Sequence, residues 1–186
     1  MTRSMSTNLH SRTSLLLFSS LLAFFGNAQD LAQVAPDKAL EKTFQEGDRA
    51  YRKGDYDKAI VLFSEVLKAD GEHLNAYLQR GFCYSLQKKY DAAIADLTSV
   101  IQQKPDHLWA YTSRGSAYNK LGKYELAMID FDTVLGLDPK NEEAFNNRGW
   151  TKKSLGDIKG ACSDWKSSKK MGNSEAAIIL QNNRCK

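Results

Sequence analysis

A 34-residue period constrains this chain more than any other property it has. Stepping by 34 from Gly115 lands on Gly81, Gly47 and Gly149, and the same step from Ala127 lands on Ala93, Ala59 and Ala161. Large side chains recur in phase, at Phe63, Leu97, Phe131 and Trp165 and again at Tyr56, Tyr90, Tyr124 and Ile158. The clearest copy is residues 108–141, LWAYTSRGSAYNKLGKYELAMIDFDTVLGLDPKN. A unit this small cannot bury its own apolar face, so copies must stack side by side into a solenoid. With 42% hydrophobic residues and three prolines in 186, the chain has the composition of one folded domain with a real core.

Within each copy, two stretches of about a dozen residues carry apolar residues at spacings of three and four. They are separated by a break at Gly54, Lys88, Gly122 or Gly156, so each copy predicts a helical hairpin. The copies run over 40–73, 74–107, 108–141 and 142–175, preceded by a leader and first-helix start at 29–39. Pro36 and Asp37 suit the opening turn of that first helix, where proline gives up only an amide that would lack a partner anyway. Glycine inside a helix costs roughly 1 kcal/mol against alanine, so Gly81 and Gly115 imply a close approach by the partner helix. Ala59, Ala93, Ala127 and Ala161 are expected to supply the matching thin spot. Pro105 and Pro139 end the second helices of copies two and three near Lys104 and Asp138. Copy four is eroded, with Lys152 for a tyrosine and Ser168 for a valine. After it, residues 176–186 predict a capping helix, entered through Ser174, over the last apolar face.

The pattern Tyr111, Arg114, Gly115, Tyr118, Ala127, Phe131 and Pro139 resembles the tetratricopeptide repeat, and the match covers about residues 40–175. Departures are Gly71 in place of the proline in copy one and the erosion of copy four. The resemblance implies an all-α fold, a right-handed superhelical solenoid of four helical hairpins plus a C-terminal capping helix. It also implies a concave groove, lined by the first helices, that holds a peptide segment of another protein. Mapped by helical spacing, that groove takes Phe44, Asp48 and Tyr51 from copy one and Asn75, Leu78, Phe82 and Ser85 from copy two. Trp109, Thr112, Ser116 and Asn119 follow from copy three, then Asn146, Trp150 and Lys153 from copy four. Aromatic rings give contact area and amides bond a main chain; packing between hairpins is the alternative use of the same rings. The subtype that grips a chaperone's terminal carboxylate is not reproduced, because Phe44, Asp48, Gln79, Trp109 and Ser113 occupy its places.

Three copies carry an arginine before the glycine, Arg80, Arg114 and Arg148, and the same three carry an aspartate in the second helix, Asp96, Asp130 and Asp164. Copy one has Glu46 and Leu62 instead. Pairing inside each repeat satisfies all six charges, whereas pairing to the next repeat strands Arg80 and Asp164, and a buried orphan charge is costly. The expectation is a structural ion pair in each hairpin; the alternative is three arginines around a ligand carboxylate.

No nucleophile motif, zinc motif or phosphate loop is present, so the reading is of a chain without catalysis, cofactor or metal. His73 and His107 lie 34 apart at the joints between repeats, without the acids or thiolates of a metal site. Cys83 sits among apolar neighbours. Cys162 and Cys185 fall at similar heights if the last helix folds back from Gly172, so a disulfide there is weighed against two free thiols.

Residues 1–28 have the order of a secretory signal: basic and polar to Arg12, apolar over LLLFSSLLAFF, then small residues to Ala28. The expectation is a periplasmic or secreted protein, with organelle targeting as the alternative. The apolar run is shorter than the roughly 20 residues of a bilayer span. Residues 29–147 hold 15 bases and 19 acids, and 148–186 hold nine and three. This asymmetry keeps two further readings open beside the peptide-binding scaffold. One is a head-to-tail homo-oligomer, and the other is a nucleic-acid-binding repeat protein using the basic end. Export argues against the latter.

Overall fold

The computed structural model describes residues 26–185, with side chains from residue 38 onward. The predicted export segment therefore lies outside the described residues except for its last three positions. The chain divides into two units, Met1–Ala39 and Leu40–Lys186. Of the first, the described part is the opening of α1, which runs Gly26–Arg52. This corrects the expected leader and the helix start at Pro36. Residues 27–35, NAQDLAQVA, hold three alanines and two glutamines and contain neither glycine nor proline, so nothing in them interrupts a helix. Pro36 then sits inside the helix, one missing donor within a long ladder.

In the second unit the helices follow one another as hairpins. After α1 comes α2 (Tyr56–Ala69), then α3 (Leu74–Leu86) with α4 (Tyr90–Gln103) and α5 (Leu108–Lys120) with α6 (Tyr124–Leu137). The last pair is α7 (Glu142–Ser154) with α8 (Ile158–Lys170), followed by the short α9 (Ala176–Asn182). Among the described residues there is no strand. Each helix packs on the next in sequence from α2 to α9, and the first helices of successive hairpins also touch, α3 with α5 and α5 with α7. A stack in which first helices meet across repeats places them on the inner side, the geometry of a solenoid groove.

The turn inside each hairpin needs a left-handed residue: Gly54, Gly122 and Gly156 have φ of 77°, 72° and 86°, and Lys88 takes φ 60° at the equivalent place. α4 and α6 end at Gln103 and Leu137, two residues short of Pro105 and Pro139. The core is the row Phe63, Leu97, Phe131 and Trp165, all fully buried, with Ala59, Ala93, Ala127 and Ala161 equally hidden.

The glycines leave room for these large residues. A methyl placed on Gly115 would lie 2.9 Å from Cε1 of Phe131, and one on Gly149 2.5 Å from Nε1 of Trp165. Each glycine is thus a slot for the large side chain sixteen residues on in the second helix, a ring at Gly47, Gly115 and Gly149 and Leu97 at Gly81.

At the C-terminus α9 covers the last hairpin and buries Ala176. It is shorter than expected, ending at Asn182. Ser174 does not cap it either: Glu175 stands at the N-cap without a side-chain bond, and Oδ1 of Asn173 accepts from the Glu175 amide at 2.9 Å. Asn173 forms a turn before the helix, which leaves the serine no helical amide to receive.

Candidate functional site: the inner face of the hairpin stack

The charged residues between first and second helices are held by a repeated construction. Arg80 donates from Nε and Nη2 to the two oxygens of Asp96, both at 2.8 Å. Arg114 does the same to Asp130 at 3.0 and 2.7 Å, and Arg148 to Asp164 at 2.8 and 2.7 Å. All three pairs lie within one hairpin. The remaining nitrogen, Nη1, reaches back to the second helix of the preceding hairpin, to Ser64 at 2.9 Å, Thr98 at 3.1 Å and Asp132 at 2.6 Å. The acceptors also recur at a step of 34, a signal present in the sequence that a reading confined to arginine and aspartate misses.

Each guanidinium also lies against rings, Arg80 against Tyr77 and Tyr84 and Arg114 against Tyr111 and Tyr118, at 5.6 to 5.9 Å. Stacking of this kind adds cation–π attraction to the ion pair. In the fourth hairpin Arg148 keeps one ring, Phe145, and Lys152 replaces the second, its Nζ 2.8 Å from Asp164. Hydrogen bonding to the carboxylates raises the pKa of Arg80, Arg114 and Arg148 above the ordinary guanidinium value. Burial pushes the Asp130 carboxyl up, and Arg114 pulls it back down without cancelling the shift. With Nε, Nη1 and Nη2 all committed inside the protein, these arginines are not a clamp for a ligand carboxylate.

Around that frame, an open cavity of about 460 Å³ extends across α3, α5 and the start of α7. Of the residues predicted for the groove, Tyr51, Phe82, Ser85, Trp109, Thr112 and Ser116 line it, joined by Leu86, Tyr90, Leu108, Ser113, Ala117, Lys120, Asn141 and Glu143. Trp109 is 71% exposed. Thr112 lies at the wall with only 7% exposure, and its hydroxyl is turned to the Leu108 carbonyl at 3.0 Å.

The other predicted positions are placed elsewhere. Phe44 packs on Phe63 and His73, with ring centroids 5.5 and 5.0 Å away, and Leu78 joins the cluster of Leu97, Val100 and Ala110. Both are partly buried and packed against the core, because the adjoining hairpin lies over the turn of helix they occupy. Asp48 pairs with Arg52 at 2.9 Å, and Asn119 exchanges hydrogen bonds with Thr151 across α5 and α7. Asn75 is exposed outside the cavity. Trp150 is 40% exposed and edge-on to Trp165, whose Nε1 donates to the Asn146 carbonyl at 3.3 Å. Lys153 lies over Trp150 and donates to Asn183 at 2.6 Å, tying α7 to α9. With Arg148 and Lys152 in ion pairs as well, part of the basic C-terminal surface already serves the fold.

His73 and His107 are helix caps. Nδ1 of each accepts an amide, from Ala76 at 3.1 Å and Ala110 at 3.2 Å, and Asn141 accepts from Ala144 at the corresponding place. The joint between hairpins thus selects a residue with an acceptor two bonds from Cβ. Cys162 and Cys185 form a disulfide, with Cα atoms 5.5 Å apart. Cys83 is free and buried, and burial pushes its thiol up to about 11.

Two models described as tetratricopeptide repeat match the chain, one over residues 44–107 and one over 108–141. Among curated proteins none matches. Solved structures with the same arrangement include "MamA RS-1 ArsTM double mutant", 25% identical over 73% of this chain and 76% of that one, with a TM-score of 0.69. The first TPR of Spaghetti (RPAP3), bound to the HSP90 peptide SRMEEVD, is 28% identical over 63% of this chain and 93% of that one, with a TM-score of 0.61. The Arabidopsis OM64 TPR domain is 27% identical over 62% and 96%, with a TM-score of 0.59.

Proposed function

The chain belongs to the tetratricopeptide repeat family, and on that premise we propose that it is a non-enzymatic scaffold holding a peptide segment of another protein against its first helices. The observation that carries this reading is the open cavity whose wall includes Trp109, a large apolar ring 71% exposed beside the half-buried Phe82. A ring of that size left out of the core offers area that only a partner can cover. The neighbour that holds an HSP90 peptide supports peptide binding as a use of this arrangement. The carboxylate grip of the chaperone-tail subtype is absent from the sequence, so a different peptide chemistry is expected here.

We further propose that the protein works in an exported, oxidising compartment. The order of residues 1–28 and the Cys162–Cys185 disulfide both favour it, since structural disulfides belong to such compartments. The binding reading is tested by placing a photo-crosslinking residue at position 109 and, as a control, at position 129 on α6. Ile129 is 61% exposed. The expected result is a distinct protein captured from position 109 and lost when Phe82 is replaced by Ser. Identical products from both positions would defeat the proposal.

A further inference from the structure

Two charged residues at the rim of the cavity have no counter-ion. Lys120 is the last residue of α5 and Glu143 the second residue of α7, both line the cavity, and neither makes an ion pair among the described residues. Glu143 stands one repeat beyond Trp109, at the same level on the neighbouring helix. From that level to Lys120 is eleven residues of helix, roughly 16 Å at 1.5 Å per residue, and the neighbouring helix stands roughly 9 Å to the side, so the two charges are about 19 Å apart. An extended chain covers that span in about six residues at roughly 3.3 Å each. The same cavity is walled by the apolar surfaces of Phe82, Leu86 and Trp109. Ser85 lines the same cavity, and its hydroxyl is buried with no hydrogen-bond partner. A buried polar group in that state is a place for a bond the ligand supplies.

Resting on the peptide-groove reading, we propose that the site selects an extended segment carrying an acidic and a basic residue about six positions apart with a large apolar side chain between them. The acid of the ligand meets Lys120, the base meets Glu143, the apolar side chain seats between Phe82 and Trp109, and a main-chain group bonds Ser85. The charge order is fixed by the protein: an acid at the Trp109 end would face Glu143 and also Glu142 in the first turn of α7. Because both charges are at an open rim, their contribution is to orientation and partner choice more than to affinity, and it weakens with salt.

The test uses the full chain and an end-blocked, fluorescein-labelled peptide, Glu-Ser-Phe-Ser-Ser-Ser-Lys, followed by anisotropy. The proposal expects binding that falls more than tenfold when Phe becomes Ser, and about fivefold when the peptide's Glu becomes Lys. The Lys120→Glu variant should reverse the last preference and favour the Lys-first peptide. Lys120 is exposed at a helix end, so the variant should melt with the parent. If apolar peptides bind with no dependence on either charge, this inference fails while the groove reading stands. If no peptide of any charge order binds and position 109 captures nothing specific, both fail.

Discussion

Arg114 commits its donor nitrogens to two helices that are not its own, Asp130 on α6 and Thr98 on α4. Its side chain is 16% exposed and that of Asp130 2%, so the pair sits where removing one partner leaves an uncompensated charge. Replacing Arg114 with Leu should cost about 3 kcal/mol in urea unfolding at pH 8. The pH dependence follows from the cause of the Asp130 shift. Burial raises its pKa and Arg114 lowers it, so the variant keeps only the raising cause. A carboxyl raised in the folded state gives stability that is present below the unfolded value and lost as pH rises through the folded one. The deficit of the variant should therefore be smaller at pH 5 than at pH 8. An equal deficit at both would show that Asp130 is not buried as described. These pairs are legible in the sequence because both partners repeat at 34; the backward bond to Ser64, Thr98 and Asp132 repeats too, but only its last acceptor is charged, so no repeated charge marks the position.

Short helices at fixed joints need their ends closed, and here one position closes three of them. His73, His107 and Asn141 each accept the amide three residues on, though imidazole and amide share little beyond a correctly placed lone pair. Replacing His107 with Ala should cost about 1 kcal/mol in thermal or urea unfolding, and replacing it with Asn should cost no more than a few tenths. Equal losses from both would mean that the ring acts through packing and not through Nδ1. The hairpin turns show the same logic in the other direction: Lys88 holds a left-handed φ of 60° where the other copies have glycine, so the turn geometry is imposed by the helices it joins. Helical spacing identified the face of each first helix but not its depth. Phe44 and Leu78 share that face with Trp109, yet the adjoining hairpin partly covers them and leaves the tryptophan out.

A stack in which each hairpin touches only its neighbours is weakest at its ends. α9 has seven residues, too few to be stable alone, and buries one of them completely. The Cys162–Cys185 bridge closes a separation of 23 residues, which by loop entropy is worth about 3 kcal/mol. In the Cys185→Ser variant, amide exchange in α9 should accelerate strongly while α3 to α6 keep their protection. Thiol titration of the unreduced, denatured protein should find one group, Cys83, and three after reduction. Three groups before reduction would show that the bridge does not form.

What the sequence determined by itself is everything that repeats. Period, hairpin boundaries, glycine positions and ion-pair partners are each repeated at 34, and repetition exposes a constraint even when its geometry is unknown. The tertiary structure decided what the repeats share unequally: which ring fills the slot at Gly115, which groove residues remain open, and that Lys120 and Glu143 face an empty space between hairpins. Exposure depends on how closely one hairpin leans on the next, and that is a property of the stack rather than of any 34 residues within it.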